Sequence, residues 1–185
     1  LELTVRTMLG APLIATKGYS APEVEETYAR ALELGERMAD KGELFLVVWG
    51  LWLFFLVRAK YKMARELADR LLRLAEGSPD DGVRMCALIA QGNTLFLLGD
   101  LEKARGVLDQ AAAIYSADAH SALAYTYGQD LGMYARSYLS RILWLLGSPD
   151  TAVKFSEHAL ACARGASHPN SVAFALAFDT HLHVY

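Results

Sequence analysis

Few residues in this sequence have types and spacings that invite a chemical reading. His158 and Cys162 stand four apart within a helical pattern, a spacing that would present two ligands to one zinc ion. His168 is near in sequence, but no third and fourth ligand is evident, so a packed histidine and a packed thiol are expected. His181 and His183 lie near Asp179, yet residues two apart on a helix do not face the same way and make a poor paired site. The two cysteines, Cys86 and Cys162, sit inside apolar helical stretches and outside any C-x-x-C pair. They read as buried free thiols of a reducing compartment. The chain has no G-x-x-x-x-G-K-[ST] phosphate loop, and no G-x-G-x-x-G, G-x-S-x-G or H-E-x-x-H motif. The expectation is a chain with no catalytic, cofactor-binding or metal site of its own.

Recognition of a partner is the chemistry that remains. Tyr125, Tyr127, Gln129 and Asp130 gather polar and aromatic groups in what reads as an irregular insertion, where loops commonly carry function. The competing reading has Gln129 and Asp130 capping the next helix while the tyrosines pack the joint. Trp49 and Trp52, with Phe54 and Phe55, span more than one face of their helix. Some must pack between neighbouring helices, and the rest would line an exposed groove. These two tryptophans and the four insertion residues are the candidate interaction surface.

The composition supports a packed, non-electrostatic protein. Of 185 residues, 54% are hydrophobic and 21% charged, with a formal net charge of −3. That balance is the opposite of the one disorder requires. Nucleic-acid binding normally shows a basic stripe; here Arg58, Lys60, Lys62, Arg65, Arg70 and Arg73 interleave with Glu66, Asp69 and Glu76 as a solvated helix face. The run Leu44–Val57 is apolar throughout but only fourteen residues long, against about twenty for a membrane span. No secretory signal opens the chain. A core helix and a cytoplasmic location are expected, with neither nucleic acid nor membrane as partner.

Punctuation then sets the elements. Leu97-Leu98-Gly99-Asp100 and Leu145-Leu146-Gly147-Ser148 share one form: an apolar helix end, a glycine suited to the left-handed conformation, then a capping residue. Ser148-Pro149-Asp150 adds proline at the first helical position. Ser20–Glu23 and Ser78–Asp81 are further starts, the first with capping-box spacing. The following helices repeat one stripe: Tyr61, Ala64, Ala68, Leu71 and Ala75; Leu101, Ala104, Leu108, Ala111 and Tyr115; Ala152, Ser156, Ala159 and Ala163. Val24, Tyr28 and Ala31 form a weaker copy. Such self-similarity marks a helical solenoid.

Gly92, Gly99, Ala104, Leu108 and Ala111 resemble the small and aromatic-or-leucine positions of the tetratricopeptide repeat. The copy around Ala64 keeps Tyr61 but has Ala59 at the turn, and the copy around Ala152 keeps Gly147 but has Pro149 at the aromatic position. Intervals of 40 residues (24 to 64, 64 to 104) and 48 residues (104 to 152) exceed the family's period, which is roughly 34. The resemblance implies an all-α, right-handed superhelical solenoid of about nine helices. Its hairpins would cover residues 1–40, 43–77, 80–116 and 121–165, with an unpaired helix at 168–185, in a single domain.

A narrower resemblance rests on Leu9–Tyr19, Ala21–Glu25, Trp49–Trp52, Tyr127–Asp130, Leu143–Gly147 and His168–Phe178 together. These segments are similar to the C-terminal repeat region of bacterial signalling proteins in which a class III adenylate/guanylate cyclase domain and an AAA-type ATPase module precede the repeats. The resemblance implies a fragment of a larger protein, a regulatory repeat region that binds a protein or adjoining domains; exposed helix faces of such a fragment leave a homo-oligomer possible in isolation. The paired metal-binding aspartates of a cyclase are absent from this chain, so that chemistry would lie upstream. Two other readings stay open: an effector-sensing helical module, and the repeat region of an ATPase-type transcription regulator.

Overall fold

A computed structural model describes Lys17, residues 21–35 and residues 41–183. Every regular element among the described residues is helical. The long helices are α1 (Pro22–Gly35), α2 (Lys41–Val57), α3 (Tyr61–Ala75), α4 (Asp81–Leu97) and α5 (Leu101–Ile114). After a stretch of single turns, α6 (Ala117–His120), a 3₁₀ turn (Ser121–Leu123) and α7 (Ala124–Tyr127), come α8 (Leu131–Leu145), α9 (Pro149–Gly165) and α10 (Pro169–His183). The chain divides into two compact units, Leu1–Gly77 and Ser78–Tyr185. In the first, α2 pairs with α3 and also packs on α1. In the second, α4 pairs with α5 and α8 with α9, while α8 packs also on α5, α4 and α10.

Among the described residues, one turn builds three hairpins. Gly99 N–H donates to Phe96 O at 3.0 Å and Asp100 N–H to Leu95 O at 3.0 Å. Gly147 repeats this with Trp144 O and Ser148 with Leu143 O, at 3.0 and 2.9 Å. Ala59 and Lys60 do the same with Leu56 O and Phe55 O, at 3.0 and 2.9 Å. This paired bonding satisfies the last free carbonyls of the outgoing helix and needs a left-handed residue at its centre. Gly99 (φ 86°) and Gly147 (φ 80°) supply it without strain, whereas Ala59 is forced to φ 56°.

The turn also corrects an expectation. Neither Asp100 nor Ser148 caps its helix through its side chain. Their ψ angles, 71° and 61°, fall short of the extended conformation of a capping residue. Asp80 and Asp130, with ψ of 113° and 123°, do cap: Asp80 accepts from Gly82 N–H and Val83 N–H, and Asp130 from Met133 N–H. The helix after Ser78 thus starts at an Asp80 cap. Ser20 of the proposed capping box lies outside the described residues.

The repeated stripes are buried. Ala64, Ala68, Leu71 and Ala75 on α3, Ala104, Leu108 and Ala111 on α5, and Ala152, Ser156, Ala159 and Ala163 on α9 all face the interior. The side chains of Val24, Tyr28 and Ala31 on α1 lie outside the described residues. A Cβ added to Gly92 would come within 2.5 Å of Leu108 Cγ, so α4 and α5 touch where only glycine fits. The corresponding positions in the other hairpins hold Trp52 with Ala68 and Ser140 with Ser156, all buried. The bulk held at these positions thus differs between hairpins, and Ser140 Oγ donates to Ala152 O at 2.8 Å. Helix α2 is buried on most sides from Phe45 to Leu56. Among the described residues, no helix is long and apolar enough to cross a membrane.

Candidate interaction site

Residues 116–130 fold into a plug held by polar side chains. Asp130, fully buried, caps α8 and accepts a hydrogen bond from the Tyr115 hydroxyl at 2.7 Å. Its backbone N–H donates to Ser171 Oγ at 2.8 Å, tying the plug to the start of α10. Burial pushes the Asp130 carboxyl above its ordinary value, against the hydrogen bonds from Met133 and Tyr115 that pull it down. Burial likewise pushes the Tyr115 hydroxyl up, with the Asp130 contact adding to it. His168 Nδ1 accepts from Ser171 N–H at 3.3 Å, and Asn170 Nδ2 donates to Gly128 O at 3.0 Å. His120 Nδ1 accepts from Ser116 N–H at 2.9 Å, and its Nε2 lies 3.6 Å from Asp81.

The sequence-derived candidates fall into different settings. Tyr125 is 70% exposed, edge-on to the His168 ring at 5.1 Å. Tyr127 is half-buried and shares a hydrogen bond with the Cys86 thiol; burial raises both groups. Gln129 is buried with its Oε1 unpartnered. Trp49 and Trp52 are buried in the first unit, their rings 4.8 Å apart. Helix α2 offers them no solvent side, because residues 47–52 are buried without a break.

Sequence reasoning passed over a second set. On α8, Tyr134 and Tyr138 lie one turn apart with ring centroids 5.2 Å apart, and Phe174 and Phe178 of α10 stack at 4.4 Å. Tyr138 bridges them, edge-on to Phe178 at 4.9 Å and to Phe96 of α4 at 5.5 Å. Tyr134 is buried, while Phe96, Tyr138, Phe174 and Phe178 are each partly exposed. Arg141 lays its guanidinium 4.2 Å above the Phe178 ring, and Leu145, one turn on, is 60% exposed. Aromatic pairs at this spacing prefer such offset and edge-to-face arrangements. The available signal was the four-residue repeat of Tyr134/Tyr138 and Phe174/Phe178, which places paired rings on one helix face.

Metal chemistry gains nothing from the placement of the other candidates. Among the described residues no group of three His, Cys, Asp or Glu side chains converges. His158 is exposed and Cys162 half-buried. His181 and His183 hydrogen-bond the Ala177 and Asp179 carbonyls through Nδ1, at 2.6 and 3.0 Å.

No protein-family model matches this chain, and no curated protein does. Solved structures do. One is a crystal structure of nearly identical tetratricopeptide-like repeats from a kinesin light chain of Podosopora anserina, with a TM-score of 0.65 at 13% identity. The match covers 97% of this chain and 87% of that one. At this identity the likeness shows the fold: an all-α, tetratricopeptide-like repeat.

Proposed function

We propose that this chain is a non-catalytic interaction scaffold that presents the ring-lined face of α4, α8 and α10 to a protein segment or an adjoining domain. The observation that carries the reading is the contiguity of Phe96, Tyr138, Phe174 and Phe178, four partly exposed rings in mutual contact on three helices. A continuous exposed apolar surface marks an interaction site more often than scattered side chains do. Aromatic residues are also enriched among the groups that dominate binding. Tyr125, exposed beside the plug, extends the candidate surface. Within this reading the parent chain is a cyclase–ATPase signalling protein, and the repeats are its regulatory region. Its support is the joint occurrence of the segments around Tyr127–Asp130, Leu143–Gly147 and His168–Phe178.

A second reading, a small-effector sensor, is favoured by Asn93 Oδ1 and Gln129 Oε1, buried acceptors without partners that a polar ligand would satisfy. Fluorescence anisotropy with a pool of labelled peptides, run beside a thermal-shift screen of metabolites, separates the two. The scaffold reading expects peptide binding that weakens at least roughly ten-fold in Tyr138→Ala or Phe178→Ala, the loss typical of a central aromatic anchor. Saturable stabilisation by one metabolite, with no peptide bound, would overturn it.

A further inference from the structure

We infer that His168 is a proton-operated latch: its neutral ring holds the start of α10, and with it the rings of the binding face, to the plug, and acid releases them. The inference rests on the scaffold reading and adds the regulation of its face. Helix α10 opens at Pro169, so His168 holds the capping position before it, and its carbonyl accepts the first helical bond, from Val172 N–H at 3.2 Å. Its Nδ1 accepts from Ser171 N–H, one of the amides that a helix start leaves without an internal partner, and stands 3.0 Å from the Ser171 hydroxyl. That hydroxyl oxygen accepts in turn from Asp130 N–H, so one imidazole nitrogen orders the side chain that fastens the plug. Phe174 and Phe178 follow Ser171 by roughly one and two turns of the same helix.

An Nδ1 that accepts a hydrogen bond carries no proton. A proton there would set it against the Ser171 N–H, donor to donor, and place a cation at the positive end of the helix. No neighbour compensates. Of the plug's titratable groups, Tyr125 lies edge-on to the ring at 5.1 Å and Asp130 is joined to it through Ser171. Tyr127 bonds Cys86, and Asp118 and His120 belong to the plug's opening turn. On α9 the nearest charge in sequence is Arg164, α8 carries only Arg136 and Arg141, and α10 has no charged residue before Asp179. Among the described residues no carboxylate stands at ion-pair distance from His168.

His120 shows the contrast. Its Nδ1 also accepts a backbone N–H, from Ser116 at 2.9 Å, but its Nε2 lies 3.6 Å from Asp81. Protonation there exchanges a hydrogen bond for an ion pair, whereas at His168 it is loss alone. Histidine ordinarily titrates at about 6.5, so the latch holds above that range and loosens below it. Asp130 acts in the opposite sense, because burial raises its carboxyl and its proton favours the folded plug. The histidine is therefore isolated by substitution rather than by pH alone.

The test uses the full 185-residue chain at about pH 7.5 and about pH 5.5. It reads hydrogen-exchange protection of the Asp130 and Ser171 amides, corrected for intrinsic exchange, beside the carbon shifts of the Phe174 and Phe178 rings. His168→Asn and His168→Asp each keep a capping oxygen and take up no proton in this range. Relative to either variant, wild-type protection of both amides should fall roughly ten-fold at the lower pH, where a released ring holds about ten protonated states for each neutral one. The ring shifts should move with it, and His120→Asn should leave the fall intact. Protection that falls no further in wild type than in the capping variants, or ring shifts that stay fixed while it falls, would overturn the inference. Affinity for the labelled peptides that ignores pH while protection falls would overturn it too. The expected protection pattern in a chain that binds no peptide supports the latch and removes the scaffold reading alone.

Discussion

Gly92 and Gly132 show how much of this fold is set by single atoms. An added Cβ would meet Leu108 Cγ at 2.5 Å in the first case and the Tyr115 ring at 2.5 Å in the second. Alanine favours helices intrinsically, so the sign of Gly92→Ala decides whether packing or propensity wins. Overpacking costs roughly 1–3 kcal/mol, more than the roughly 1 kcal/mol that propensity returns; urea denaturation should therefore show net destabilisation. Asp130 gives a pH-dependent counterpart. Burial raises its carboxyl above the ordinary 3.8, so the folded state holds the proton more tightly than the unfolded one. Its contribution to stability is then greatest below 3.8 and declines as pH rises through the raised folded value. Asp130→Asn keeps an acceptor for Met133 N–H and removes the titration. The stability of wild type relative to this variant should rise as pH is lowered from 7 towards 4, a difference that paired denaturation curves measure. A flat difference would place the carboxyl in a better-solvated setting than the one described.

At the scale of elements, the turns were the most legible part of the sequence. Gly99 and Gly147 announce a left-handed residue after a helix, and both occupy one. Ala59 stands in the same turn without glycine's freedom, so Ala59→Gly should stabilise the first unit by about 1 kcal/mol, the steric cost it removes. A lower melting temperature would contradict this. The caps were half legible, because Asp and Ser cap only where ψ is extended: Asp80 and Asp130 meet that condition, while the tight turns deny it to Asp100 and Ser148. Asp80→Ala should accordingly cost about 1 kcal/mol in thermal denaturation, and Ser148→Ala far less. The small-residue stripes were legible through their spacing. Beyond periodicity lay the plug, since two four-residue helices and a 3₁₀ turn leave no repeating pattern to read. The face made by Tyr138, Arg141, Phe174 and Phe178 was legible only as paired four-residue spacings on two helices, because the face itself exists only where α8 meets α10.

Across the whole molecule, the exchange of bulk between hairpins accounts for a fold that is plain while sequence likeness is faint. Trp52 and Ala68, Gly92 and Leu108, and Ser140 and Ser156 fill equivalent buried positions of the described hairpins with different bulk, so positional signatures blur while the turns agree. The solved repeats matched at 13% identity fit that account. On the proposed scaffold reading, function rests on surface rather than on a reacting group, and the location of that surface is open to measurement. Amide chemical-shift mapping of isotope-labelled protein, titrated with the tightest-binding member of the labelled peptide pool, tests this most squarely. The account predicts that perturbations gather on Phe96, Tyr138, Arg141, Leu145 and Phe178, spanning three helices that are remote in sequence. Perturbations confined to the outer faces of α5 and α9, or none at saturating peptide, would contradict it.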